Sequence, residues 1–125
     1  MNENEISKIL VDIFYRIHTT LGPGLLESVY EEIICYELDK THIQYTRQKV
    51  IPVIYDEIKM DIGFRADIIV ENRVIVEIKS IENIAPVHPK VLRTYLVLTN
   101  LKLGLLVNFN VALIKDGITR VVNGL

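Results

Sequence analysis

The chain has one cysteine, no tryptophan and four prolines in 125 residues. A lone cysteine cannot close an intrachain disulfide, so the fold needs no oxidising compartment. No apolar run approaches the roughly 18 residues of a membrane span. The opening MNENEISK is acidic and polar, unlike a secretory leader, which makes the cytoplasm the default location. Neither sign of charge is in excess: 14 Lys plus Arg stand against 16 Asp plus Glu, a formal charge of −2. That balance excludes a strongly basic nucleic-acid binder, although a bound metal brings its own positive charge to a site. Internal repeats and low-complexity segments are also missing.

What is present is apolar residue at half of all positions, enough for a true core in one domain spanning residues 1–125. The most informative stretch reads DIGFRADIIVENRVIVEIKS, Asp61 to Ser80. From Ile58 to Val70 apolar residues alternate (Ile58, Met60, Ile62, Phe64, Ala66, Ile68, Val70), which predicts a strand with one buried face. After Glu71-Asn72-Arg73 a second run follows, Val74 to Lys79. A hairpin with a three-residue loop sets Val70 against Val74 and therefore Asp67 against Glu77, with Lys79 two residues along on the same face. A one-residue slip would mismatch the apolar faces. Opposed carboxylates repel unless a cation sits between them or one is protonated. Two acids beside a lysine suit a hard divalent cation and a phosphate. The same pattern also fits a surface hairpin whose charges face water.

The rest of the chain falls into place around this hairpin. Ile6, Ile9, Leu10, Ile13, Phe14 and Ile17 predict an amphipathic helix over 4–20, stopped by Gly22-Pro23. A second helix is expected over 25–40, with Leu25, Val29, Ile33, Cys35 or Tyr36, and Leu38 as apolar contacts, and with Glu27, Tyr30 and Glu31 on a neighbouring face. The glycines of LGPGLLE lack the Gly-Lys-Ser/Thr ending of a phosphate loop. Residues 44–55 read as a strand that Pro52 restricts to an edge or a strand terminus, and Asp56-Glu57 as a turn. A helix follows from His88-Pro89 to about Asn100, then an interior strand over 102–109. A small terminal hairpin is expected from 111–114 and 118–122 around Lys115-Asp116-Gly117. His18 reads as a capping or packing residue.

Asp67 followed by Glu77-Ile78-Lys79 resembles the PD-(D/E)xK nuclease superfamily. Gly24, Glu27 and Tyr30 match, more narrowly, the small prokaryotic family named for its GxxExxY motif. Further matching stretches are Gln48 with Pro52-Val53, Phe64-Arg65-Ala66-Asp67, Tyr95-Leu96, and Gly104 to Phe109. The resemblance implies an α/β, restriction-endonuclease-like three-layer fold: a central mixed β-sheet flanked by α-helices, with an αβββαβ core, an extra N-terminal helix and a C-terminal hairpin. It implies a Mg²⁺- or Mn²⁺-dependent nuclease hydrolysing phosphodiester bonds of DNA or RNA. Asp67, Glu77 and Glu27 would bind metal, Lys79 would complete the catalytic set, and Gln48, Tyr95 and Tyr30 would contact substrate. The chain departs from the pattern at Val91, where related sequences carry Gln four residues before the tyrosine; His88 lies one turn earlier. That departure keeps a second reading open, a catalytically inactive nuclease-fold binding or assembly module. A homodimer whose partner completes the groove is compatible with either.

Overall fold

A computed structural model describes residues 1–125. Helix α1 (Glu3–Leu21) starts at a capping box: Asn2 Oδ1 accepts from the Glu5 N–H, and Glu5 Oε1 accepts from the Asn2 N–H. Ile6, Leu10, Ile13, Phe14 and Ile17 form its buried stripe. The helix ends at Gly22, whose φ of 74° favours a residue without Cβ. His18 is buried, and its Nε2 lies 2.8 Å from the Val111 carbonyl, tying the end of α1 to a distant loop.

Helix α2 (Glu27–Lys40) buries a different face from the one its apolar residues suggest. Leu25, Val29 and Tyr36 are exposed, while Tyr30, Glu31, Ile34, Cys35, Glu37 and Leu38 are buried. The stripe is set by Tyr30, Ile34 and Leu38 at i, i+4, i+8. Its two glutamates tolerate burial because cations meet them: Arg47 reaches Glu31, and Arg16 and Lys40 reach Glu37. Cys35 lies in the same stripe, and burial pushes its thiol pKa up to about 11, which makes it an inert packing residue.

Five strands form one sheet in sequential order: β1 (Tyr45–Tyr55), β2 (Ile58–Val70), β3 (Val74–Lys79), β4 (Leu103–Asn108) and β5 (Ile118–Val122). Val70 faces Val74 and Ile69 faces Ile75, the register of a three-residue loop. Pro52 lies on edge strand β1. Helix α3 (Val87–Thr99) carries the chain from β3 to a parallel β4, whose six residues are all buried. Helices α1 and α2 cover one face, where Phe14, Ile34 and Leu38 share a core with Val76, Ile78 and Val107. Helix α3 covers the other, where Leu92 and Leu96 share a core with Ile75 and Leu106. The result is a three-layer α/β fold with a mixed sheet.

Two expectations fail here. The terminal hairpin does not form from 111–114; residues Ile114–Gly117 are a 3₁₀ turn, and β5 pairs with β4 instead. At Gly117 the backbone passes so close to the Asn108 carbonyl that a Cβ would lie 2.1 Å from its oxygen, so the chain folds back directly onto β4. The buried face of β2 also does not run its full length, since Ile58, Met60 and Ile62 are exposed. The β2–β3 ladder covers only Ile68–Val70, so the outer halves of β1 and β2 stand as a two-stranded ribbon.

Helix α3 crosses β4 at Gly104, where a Cβ would meet the Leu92 side chain at 2.8 Å. Gly104→Ala should therefore lower stability by about 1–3 kcal/mol in urea denaturation, and Leu92→Ala in the same chain should recover part of that loss through the space it opens.

Candidate functional site

Strand β2 breaks its alternation at Asp67. Phe64 and Ala66 pack on the α3 side of the sheet, yet Ile68 and Val70 belong to the core under α1 and α2. Residues of like parity thus change faces across Asp67. The opposite strand is distorted at the same level. Arg47 pairs with Ile68 and Lys49 with Ala66, and between them Gln48 adopts φ 50°, a left-handed conformation that costs a residue with a Cβ roughly 1–2 kcal/mol. As a result the consecutive side chains of Arg47 and Gln48 both reach Glu31 on α2.

The ladder between β2 and β3 stops at the same point, and carboxylates replace its backbone partners. Asp67 Oδ2 accepts from the Ile78 N–H at 2.8 Å, and Glu77 Oε1 accepts from the Asp67 N–H at 3.3 Å. Gln48 Nε2 donates to Glu31 Oε1 at 2.6 Å and lies 3.4 Å from Asp67 Oδ1. Burial raises the Asp67 pKa, helped by the charges of Glu31 and Glu27. Burial, followed by the charge of Asp67, pushes Glu77 up to about 8. None of the ion pairs in the molecule includes Asp67, Glu77 or Lys79. Two desolvated carboxylates therefore adjoin each other with no side-chain cation within ion-pairing distance.

A cavity of about 860 Å³ opens on the α2 side of Asp67, bordered by Gly24, Glu27, Glu31, Gln48, Ile78 and Ser80. The α1–α2 turn forms its rim and is fastened to the end of β3: Ser80 donates through N–H to Glu27 Oε1 at 3.3 Å and through Oγ to the Leu25 carbonyl at 2.7 Å. Asn108, buried at the end of β4, holds the same segment by donating to the Ile81 carbonyl and accepting from its N–H. Glu77 and Lys79 are absent from this cavity. They alternate with Val76 and Ile78 and so face the α3 side with Ile75, where Tyr95 stacks on Phe64 with ring centroids 3.9 Å apart. Burial raises the Tyr95 phenol pKa, with the charges of Glu77 and Asp67 adding to it.

Of the residues expected in the site, Asp67, Glu77 and Gln48 converge, and Tyr95 is electrostatically coupled to them. Glu27 borders the cavity, but its carboxylate is engaged with Ser80, and no three acids close into one metal-binding cluster. Tyr30 is not at a substrate surface. It is fully buried, stacks on Phe109 at 4.1 Å, donates its hydroxyl proton to the Gly22 carbonyl and accepts from the Leu25 N–H. It is a positioning residue that fixes the turn carrying Glu27. His88 does not replace the missing glutamine through Nδ1, which accepts from the Ala85 N–H at the start of α3. Glu31 and Asn108 were not singled out as site residues by sequence reasoning. Glu31 stands one turn after Glu27, and Asn108 is the one polar residue of a strand otherwise free of polar side chains, but neither signal names a partner.

A family model described as the PD-(D/E)XK nuclease superfamily matches residues 4–121. The chain belongs to this superfamily. No curated protein and no solved structure gives a significant match. The matched range, residues 4–121, includes Asp67 and Glu77-Ile78-Lys79. PD-(D/E)XK nucleases typically use divalent metals. The donor set fits such an ion: Mg²⁺ takes one or two carboxylates and fills its other positions with water and substrate oxygens, and the Asp67–Glu77 pair supplies two.

Because Glu77 binds its proton more tightly in the folded chain than in the unfolded one, its contribution to stability is present below pH about 4.5 and is lost as pH rises through about 8. Metal-free protein should melt at progressively lower temperature across that window in differential scanning fluorimetry. Glu77→Gln should flatten the slope. Tyr30→Phe should cost about 1–2 kcal/mol in urea denaturation by leaving the Gly22 carbonyl without its donor.

Proposed function

We propose that this chain is a divalent-metal-dependent phosphodiesterase acting on nucleic acid, of the GxxExxY branch of the superfamily. The observation that carries the reading is the pair Asp67 and Glu77. Both carboxylates are desolvated and adjacent, and neither is in an ion pair, an arrangement that is stable at neutral pH only with a proton or a cation between them. Asp67 and Glu77 would hold the metal, and Glu27 borders the cavity that opens beside Asp67. When bound, Mg²⁺ or Mn²⁺ lowers the pKa of a coordinated water and stabilises the leaving oxygen. Lys79, on the Glu77 side of β3, would orient the attacking water or offset charge on the phosphate. Gln48, whose amide nitrogen lies 3.4 Å from Asp67 Oδ1, would contact substrate from the α2 side, and Tyr95 would do so from the α3 side.

A second reading, a metal-binding-deficient assembly module on the same scaffold, is favoured by Val91, which places an apolar side chain on the exposed surface of α3. Calorimetric titration of Mn²⁺, with cleavage of DNA and RNA followed on the same samples, separates the two. Wild type should bind and cleave. Glu77→Ala and Asp67→Ala should each weaken binding on the order of 100-fold and abolish cleavage. Wild-type protein that takes up no metal would sink the nuclease reading and leave the assembly module.

A further inference from the structure

Glu31 stands at the site, yet in the proposed function it neither binds metal nor contacts substrate. It is buried on α2 and borders the cavity beside Asp67. Both of its oxygens are engaged. Oε2 accepts from Arg47 Nε at 3.1 Å and from Arg47 Nη2 at 2.8 Å, and Oε1 accepts from Gln48 Nε2 at 2.6 Å. Arg47 Nη2 also donates to Glu32 Oε1 at 2.8 Å, so the guanidinium is itself held from two sides. A carboxylate gripped by a guanidinium fork and an amide is a fixed anchor rather than an open metal ligand.

The backbone of β1 is bent to reach this anchor. Consecutive strand residues point to opposite faces, yet Arg47 and Gln48 both arrive at Glu31. They do so because Gln48 takes φ 50° between the pairs Arg47–Ile68 and Lys49–Ala66. Glycine would accept that left-handed conformation without strain, but glycine has no amide to offer.

The amide has a second neighbour. Its NH₂ carries two hydrogens, and the nitrogen that donates to Glu31 lies 3.4 Å from Asp67 Oδ1. Asp67 Oδ2 accepts from the Ile78 N–H at 2.8 Å. The two oxygens of Asp67 are thus met from opposite sides, Oδ2 from β3 and Oδ1 from β1. The β3 contact is short. The β1 contact lies at the long end of the hydrogen-bond range, where strength depends on aim. The bond to Glu31 sets that aim, because it decides where the second amide hydrogen points.

We propose that Glu31 is a positioning residue for Asp67: anchored by Arg47, it holds the Gln48 amide against Oδ1 and so sets the direction in which Asp67 presents its carboxylate to a metal. The inference rests on the reading of Asp67 as a metal ligand, and it gives Gln48 a duty distinct from touching substrate.

A double-mutant cycle tests it, with Glu31→Gln, Gln48→Gly and the two combined, read by Mn²⁺ titration of the full chain. Each single change should weaken Mn²⁺ binding roughly 10-fold, as for other groups that orient a metal's ligands. The double variant should lose no more than about the larger single loss, because Glu31 acts through Gln48. Gln48→Gly suits the left-handed backbone and should keep the far-UV circular dichroism of wild type. Additive losses would reduce Glu31 to one more negative charge near the ion and overturn the proposal. So would a Gln48→Gly chain that binds Mn²⁺ as wild type does and only raises KM, which would leave Gln48 a substrate contact alone. Wild type that takes up no Mn²⁺ ends the metal reading and this inference with it, whereas wild-type uptake unchanged in the variants ends this inference alone. One readout needs neither metal nor variant. The only other glutamine, Gln44, makes no side-chain hydrogen bond and is exposed, so in NMR of metal-free wild type the Gln48 side-chain amide hydrogens should exchange with water more slowly than those of Gln44. Equal exchange at the two residues overturns the proposal.

Discussion

The parting of β2 from β3 at Asp67 is the constraint on which the rest of the site depends. A continuous ladder would satisfy the Ile78 and Asp67 amides with backbone carbonyls. Here they are satisfied by the Asp67 and Glu77 carboxylates, which are thereby held next to each other. A hydrogen bond from an amide stabilises a carboxylate, but burial and mutual repulsion outweigh it at Glu77. The parting of the two strands thus stores an electrostatic demand that a proton or a cation between the carboxylates would relieve.

The support around this opening comes from unusual places. Gln48 accepts a left-handed backbone so that its amide joins Arg47 at Glu31 and approaches Asp67. Glu31 is buried, and Glu32 and Glu31 together raise the pKa of the Arg47 guanidinium that meets them. Breaking such a group by removing one partner leaves a buried charge, which is why local strain at Gln48 persists. On the far side, Tyr30, Ser80 and Asn108 lock the α1–α2 turn, the end of β3 and the end of β4 into one rim. The glycine-rich turn is therefore a structural fastening for the site rather than a ligand cradle.

The two faces of the sheet divide the chemistry. The cavity beneath α2 gathers Glu27, Glu31 and Asp67, while Glu77, Lys79 and the Tyr95–Phe64 stack lie toward α3. A substrate reaching both sets approaches the end of the sheet rather than either face. The ribbon extends from this same region, because the strands that present Gln48 and Asp67 are the ones that continue outward without β3.

Period-two alternation, a three-residue loop and the apolar sets on either side were enough, from sequence alone, to determine the β2–β3 hairpin register from Ile68 to Val70, but the expected same-face pair of Asp67 and Glu77 gives way to carboxylate-to-amide contacts where the strands part. The element order, the edge position of β1 and the parallel β3–β4 crossover were legible for the same reason: these are local patterns with few alternatives. The change of faces at Asp67, the burial of Tyr30 and Glu31, and the exposure of Ile58 and Ile62 were decided only in three dimensions. Each depends on what lies across space. Arg47 makes a buried glutamate tolerable, Phe109 gives Tyr30 its stacking surface, and the absence of β3 under the ribbon leaves a well-patterned strand uncovered. Hydrophobic periodicity specifies which residues share a face, but only the tertiary structure supplies, or withholds, the surface that covers it.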